Sequence, residues 1–356
     1  VVAPGRRQDV LTIRLRQAIV IAGCAALLAP ATSSAAPPEA TDFTQALGGV
    51  ERATGNSEDA YKSQVLEAPA RFDLAGLTGE LRESELRGRV TGGEWTDWTE
   101  TAHGDPVWFG GMDELQVRAH GWRPSGSVHY VSVSEGLSEI SGRAGGGAGP
   151  NVISRRQWGA NKKSGGCKPR EDAAYGGVKA AVVHHTVSAT DYSESEAAGM
   201  VLGICRFHRN SNGWNDIGYN ALVDRFGNIY EGRAGGLSRA VVGAQAQSVN
   251  AQTTGVAVIG THTTTPASKA AVNGVAKWLA WKLPQHGIDG SGRAHLVSAG
   301  GDSARYPAGT EFKAARIFGH RVANFTGCPG DGLISQLPKI RKKVARKIAA
   351  GSGGVG

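Results

Sequence analysis

Three side chains able to bind a metal stand far apart in this chain, and any fold it adopts must bring them together: His184, His320 and Cys328. His184 ends the apolar run Ala180-Ala181-Val182-Val183, which reads as a buried strand opening onto a site. His320 and Cys328 lie in the stretch FGHRVANFTGCPG, where Pro329 and Gly330 force a turn directly after the thiol. Two imidazoles and one thiolate make three ligands for Zn2+ and leave the fourth tetrahedral position open to water, the pattern of a catalytic rather than a structural site. An open position on zinc points to hydrolysis. Taken singly, each residue also fits a structural role, as a packed strand-end histidine or a buried thiol.

The N-terminus reads as a secretory signal peptide over residues 1–35. Arg6, Arg7, Arg14 and Arg16 precede an apolar core at 18–28, and Ser33-Ser34-Ala35 supplies small residues for cleavage. That core is too short to span a bilayer, and no later apolar run is longer. The expectation is a secreted, cell-wall-associated protein. If Cys328 holds zinc, Cys167 and Cys205 remain as a natural disulfide pair for an exported protein.

Charge divides the chain. Residues 37–150 carry 9 Lys+Arg against 18 Asp+Glu, net −9, and residues 151–356 carry 26 against 12, net +14. With four arginines and one aspartate in the signal, the whole sums to +8. A basic half on an exported protein suits an anionic wall polymer rather than nucleic acid. The opposite signs suggest two units that dock across a linker in a salt-sensitive way; the plainer alternative is two independent, soluble monomeric units.

The segmentation agrees with two domains. Residues 36–65 are weakly patterned and read as a mobile leader. Residues 66–137 break into short runs (71–77, 86–90, 95–99, 107–109, 115–119 and 128–133) whose alternation predicts a small all-β, sandwich-like accessory domain. Trp95, Trp98, Trp108 and Trp122 are read as packing anchors rather than a sugar platform. The glycine-rich stretch 138–150 reads as a linker. Residues 151–350 then alternate strands and helices as an α/β domain. Ser193 and Glu196 form a capping box before a helix reaching Arg209, residues 220–231 form a hairpin about Gly227, and 255–260 and 316–319 are strands. A helix opens at Thr265-Pro266. Leu333, Leu337, Ile340, Val344 and Ile348 form a helical stripe whose opposite, basic face could meet anionic wall polymers.

The segments VVHHT, FHRNSNGWNDIGYNALVDRFGNIYEGR and GHRVANFTGCPGD together resemble the peptidoglycan recognition protein and type 2 N-acetylmuramoyl-L-alanine amidase family over residues 151–345. The resemblance implies a mixed central sheet flanked by helices, with His184, His320 and Cys328 as zinc ligands and His185 as a non-ligand. It implies Tyr219 beside the metal, Thr326 as an auxiliary to oxyanion stabilisation, and His208, Gly213, Trp214 and Arg233 as substrate contacts. The Gly213-Trp214 pair with Arg233 matches members that prefer diaminopimelate in the stem peptide; a guanidinium can clamp the extra carboxylate. Glu231 is the nearest candidate for the general base, with a structural hydrogen bond or ion pair as the alternative. Two departures stand out: Gln245 replaces a frequent histidine, expected to alter glycan contacts, and Val322 replaces a frequent aspartate, expected to loosen the support of His320. The implied reaction is hydrolysis of the amide between muramic acid and L-alanine. The competing readings are a non-hydrolytic peptidoglycan receptor and a zinc endopeptidase acting on the stem peptide.

Overall fold

The structure is a computed structural model and describes Val1 and residues 36–53, 60–79, 82–101, 105–134 and 149–352. The expected signal peptide, apart from Val1, and nearly all of the expected linker lie outside the described residues. No described helix is long and apolar enough to cross a membrane.

The N-terminal region is all β: β1 (Ala40–Ala46), β2 (Val50–Arg52), β3 (Ala60–Ser63), β4 (Leu66–Thr78), β5 (Ser84–Arg89), β6 (Thr99–Thr101), β7 (Val107–His120) and β8 (Ser127–Val133). They form one eight-stranded sheet in the order β1-β8-β4-β7-β3-β2, with β5 on β7 and β6 on β5. The pairings are antiparallel, and β4 slips register against β7 on either side of Phe72. Phe72, Leu86, Leu115, Val117, Val128 and Tyr130 form its core.

Three expectations are corrected here. The leader over 36–65 is not a free segment, because β1, β2 and β3 are paired into the sheet. These strands bury few large side chains, so their alternation is faint, but Phe43 stacks on Tyr130 at 5.2 Å and anchors β1. The two runs at 107–109 and 115–119 are one strand, continuous through Gly110 and Gly111. The segment at Trp95 to Trp98 is not a strand; both indoles lie over the guanidinium of Arg87 at 4.5–4.6 Å, which supports the packing reading.

The second region is α/β. Its strands are β9 (Val152–Ile153), β10 (Ala180–His185), β11 (Ala221–Val223), β12 (Ile229–Glu231), β13 (Thr253–Val258), β14 (Arg293–Val297), β15 (Glu311–Ala315) and β16 (Ile317–Gly319). The helices are α1 (Ala197–Asn210), α2 (Lys269–Lys282), α3 (Asp331–Ile334) and α4 (Leu337–Ser352). The sheet order is β16-β10-β13-β11-β12-β9, with β10 parallel to both β13 and β16. Burial on both faces explains why β10 is apolar without alternation. The stripe Leu333, Leu337, Ile340 and Val344 packs with α2 on one face of the sheet, and α1 packs on the other with Leu222, Tyr230 and Ala257. The start of α2 differs from expectation: Ser268 caps it by accepting from the Ala271 N–H at 2.9 Å, so the helix begins after the Thr265-Pro266 pair. The β14–β15 hairpin was not anticipated from sequence.

The two regions share a core. Leu74, Trp108 and Val131 of the β region sit in one apolar cluster with Met200, Leu202, Ile204 and Phe207 of α1. Glycines on both sides permit the approach. A Cβ at Gly203 would lie 3.3 Å from the Trp108 ring and 3.4 Å from Leu74, and one at Gly76 would lie 2.4 Å from Phe207 Cζ. Arg206 pairs with Asp42 beside this seam, and Asn210 donates to the same carboxylate at 2.7 Å. The docking anticipated from opposite charges therefore rests on apolar burial, with ion pairs at its edge.

Candidate metal centre and substrate groove

The register of β10 against β16 builds the centre. Val183 pairs with Gly319, so the next residue along each parallel strand, His184 and His320, emerges at the same carboxyl edge of the sheet. Cys328 returns to that edge on a tight loop. Its N–H donates to Thr326 Oγ1 at 3.1 Å, and its carbonyl accepts from the Arg321 N–H at 3.0 Å. Gly330 closes the loop with φ +81°, where a Cβ would fall 2.1 Å from the His262 carbonyl oxygen, so only glycine fits. One ligand atom from each of His184, His320 and Cys328 lies within 4.8 Å of the others.

The donor chemistry fits zinc. His184 Nε2 donates to Gln245 Oε1 at 2.5 Å, which leaves Nδ1 as the lone-pair nitrogen, and Nδ1 faces Cys328 Sγ at 3.6 Å. Burial holds His184 neutral by lowering its pKa to about 4. Burial pushes the Cys328 thiol up, so its thiolate requires a cation beside it. His185 turns away: its Nδ1 accepts from the His262 N–H at 3.0 Å, and burial lowers it to about 3. Two residues further on, Val187 has φ +50°, a strained setting for a β-branched residue and alone of its kind among the described residues.

A cavity of about 620 Å³ opens over the triad, lined by His184, His320, Trp214, Tyr219, Gln245 and Thr326 among others. Tyr219 is 5 % exposed with its ring 5.3 Å from that of His184. Burial and the nearby Asp105 carboxylate keep its phenol protonated far above neutral pH. His208 lies behind this wall, its ring 4.6 Å from Trp214, and its Nδ1 accepts from the Gly218 N–H at 3.2 Å. Gly213 has φ +70° in an exposed turn before Trp214. Arg233 is half-buried, with Nη1 donating to the Val242 carbonyl at 3.0 Å and Nη2 reaching the Asp216 carbonyl at 3.5 Å; its Nε has no partner among the described residues.

Three expectations change. Glu231 is not among the cavity-lining residues; its carboxylate accepts from the Arg155 N–H at 3.0 Å, so the structural alternative holds. Gln245 lines the cavity but commits its amide to His184 and, at 2.9 Å, to Thr253 Oγ1, so it orients a candidate ligand. Gly255 leaves the room, since a Cβ there would meet the Gln245 side chain at 2.5 Å. Val322 packs against the cluster of Leu296, Phe312 and Phe318. The Cys167–Cys205 disulfide is formed, with S–S 2.11 Å, and ties α1 to the segment before β10. Sequence reasoning missed Asp105, which stands between β6 and β7 and lines the same cavity; nothing in its local sequence marks it.

A family profile described as N-acetylmuramoyl-L-alanine amidase matches residues 174–331. Peptidoglycan-recognition protein SC2 of Drosophila melanogaster is 28 % identical over 191 residues, covering 53 % of this chain and 85 % of that protein. An N-acetylmuramoyl-L-alanine amidase of Sus scrofa is 30 % identical over 212 residues, covering 58 % of this chain and 30 % of that protein. Among solved structures, wild-type Drosophila PGRP-LB aligns with TM-score 0.40 and 25 % identity, covering 52 % of this chain and 91 % of that one. Residues 174–331 of the α/β region thus match the N-acetylmuramoyl-L-alanine amidase family, and that region is similar to peptidoglycan recognition proteins and amidases.

Proposed function

We propose that this protein is a secreted, zinc-dependent N-acetylmuramoyl-L-alanine amidase that cleaves the amide between the lactyl group of muramic acid and L-alanine. The observation that carries the reading is the triad of buried His184 and Cys328 with half-buried His320 under an open cavity, with its one thiol in place. A zinc held by these three would polarise the scissile carbonyl and activate a water. Tyr219, at the cavity wall beside His184, is placed to donate a hydrogen bond to the developing oxyanion. Thr326 steadies the Cys328 loop through its hydroxyl and lines the same cavity, so its part is auxiliary.

The stem peptide we assign to this site is the diaminopimelate type. Trp214 walls the cavity, Gly213 precedes it in an open turn, and Arg233, half-buried and outside the lining, has an Nε without a partner among the described residues. Secretion follows from the signal-like N-terminus. The test is digestion of purified peptidoglycan by the zinc-loaded protein, followed by mass spectrometry. New L-alanine amino termini with intact muramic carboxylates are expected. Cleavage within the stem would make the protein an endopeptidase, and binding without cleavage would make it a receptor.

A further inference from the structure

The β region does more than support α1: it forms part of the wall of the cavity. Gly79, Arg82 and Asp105 line it opposite the residues of the α/β region. A second cavity, of about 590 Å³, shares Arg82, Phe325 and Thr326 with the first and runs on between Trp122 and Arg305. The groove over the triad is therefore built from both regions along its length.

Asp105 is the acidic residue that this wall brings closest to the proposed chemistry. Its backbone is held on both sides: Thr101 Oγ1 donates to its carbonyl at 2.6 Å, and the buried Pro106 follows it. Its carboxylate lies 3.8 Å from His208 Nε2 and near Tyr219, whose phenol it helps to hold protonated. Because His208 Nδ1 accepts from Gly218, its Nε2 carries the proton. That N–H is buried, has no hydrogen-bond partner among the described residues, and has the Asp105 carboxylate at 3.8 Å. The carboxylate thus stands beside His208 on a cavity that His184 and His320 also line. The apolar seam beneath it, Trp108 and Leu74 against Gly203 and Phe207, makes this a fixed wall rather than a hinged cover. The remaining charged groups around the cavity are Arg82 and Asp302.

We propose that Asp105, supplied by the β region, is the proton acceptor of the amidase reaction. The inference rests on the amidase reading above. As the water oxygen bonds to the lactyl carbonyl carbon, one of its protons passes to the Asp105 carboxylate. When the carbon–nitrogen bond breaks, that proton goes to the leaving L-alanine nitrogen, and Asp105 returns to its ionised form. The second water proton leaves with the new carboxyl group and is taken up by the amine in solution. His208 stays beside the carboxylate, and the Tyr219 hydroxyl is left free for the oxyanion.

The test compares wild type with Asp105→Asn, which keeps the shape and cannot accept the proton. On a muramyl-L-alanine peptide, kcat is expected to fall by about 10²–10⁴-fold with KM little changed. In cobalt-substituted protein, removing the negative charge should move the alkaline transition of the visible spectrum to lower pH by about one unit. An unchanged kcat would overturn the assignment, and a raised kcat would do so by showing that the carboxylate obstructs the site. An unmoved cobalt transition overturns the placement whether or not the wild type cleaves the amide. A moved transition in a protein inactive on muramyl amides would uphold the placement of Asp105 and defeat the amidase reading alone.

Discussion

Gln245 Oε1 lies 2.5 Å from Nε2 of His184 and so decides which nitrogen of that imidazole faces Cys328. The contact is buried, and Thr253 Oγ1 accepts from the other end of the amide. Gln245→Leu should fill the same space without fixing the tautomer. Zinc affinity, read by chelator competition, should drop by about 10–100-fold while the circular dichroism spectrum is retained. Equal affinity in the variant would reduce Gln245 to a packing residue.

Loss of the thiol should be more severe. Cys328→Ser removes the soft anionic ligand while leaving a side chain of similar size, so stoichiometric zinc binding and peptidoglycan cleavage should both be lost. Differential scanning fluorimetry gives a second readout. Zinc at 100 times its Kd should stabilise the wild type by about 2.7 kcal/mol and leave the variant unmoved. Full activity in a zinc-free variant would end the metal mechanism.

The seam between the regions predicts resistance to salt. Apolar burial is not screened as exposed charge is, so small-angle scattering should give the same radius at low and high ionic strength. Trp108, which packs against Gly203, should be the anchor. Trp108→Ala should cost about 3–5 kcal/mol, measured by urea unfolding. Expansion of the wild type in salt would show that charge holds the regions together after all.

Acid should loosen the same seam through Asp42. Burial alone would raise its pKa, but the neighbouring His129 at 3.6 Å and the paired, charged Arg206 hold it below the ordinary value of 3.8. A depressed carboxylate contributes stability that is complete above its unfolded pKa and is lost as pH falls through the folded one. The melting temperature of wild type should therefore fall more steeply below about pH 4 than that of Asp42→Asn. Parallel curves would mean that the pair with Arg206 contributes nothing net.

The proposed substrate preference rests on Arg233. Wild type should hydrolyse diaminopimelate-type muramyl peptide with higher kcat/KM than the lysine type, and Arg233→Ala should level the two. A preference that survives the substitution would move recognition elsewhere in the groove.

The α/β region was the more legible half. His184, His320 and Cys328 could be picked out because ligand chemistry survives separation in sequence, and the hairpin about Gly227 because turn chemistry is local. The β14–β15 hairpin escaped notice, since its alternation is carried by small residues such as Ala294 and Ala314. β1 was taken for a leader because its support is remote: Asp42 finds Arg206, and Phe43 finds Tyr130, only after folding. Asp105 was invisible for the same reason. A carboxylate before proline in a loop gains a role only from His208 and Tyr219, which another region supplies. Gln245 was noticed as a departure, but its bond to His184, 61 residues earlier, is visible only in the fold.

Gly199 and Gly203 leave a trench along one side of α1, and Trp108 and Val133 fill it. A protein engineer who cut the chain at residue 151 to borrow its lytic half would expose that trench to water, together with Phe207. The fragment would carry a ready-made sticky face and would lack one wall of its own cleft. What can be transplanted is the span from the first strand to the last helix. Here the boundary between modules drawn from composition is a boundary of charge, not of manufacture.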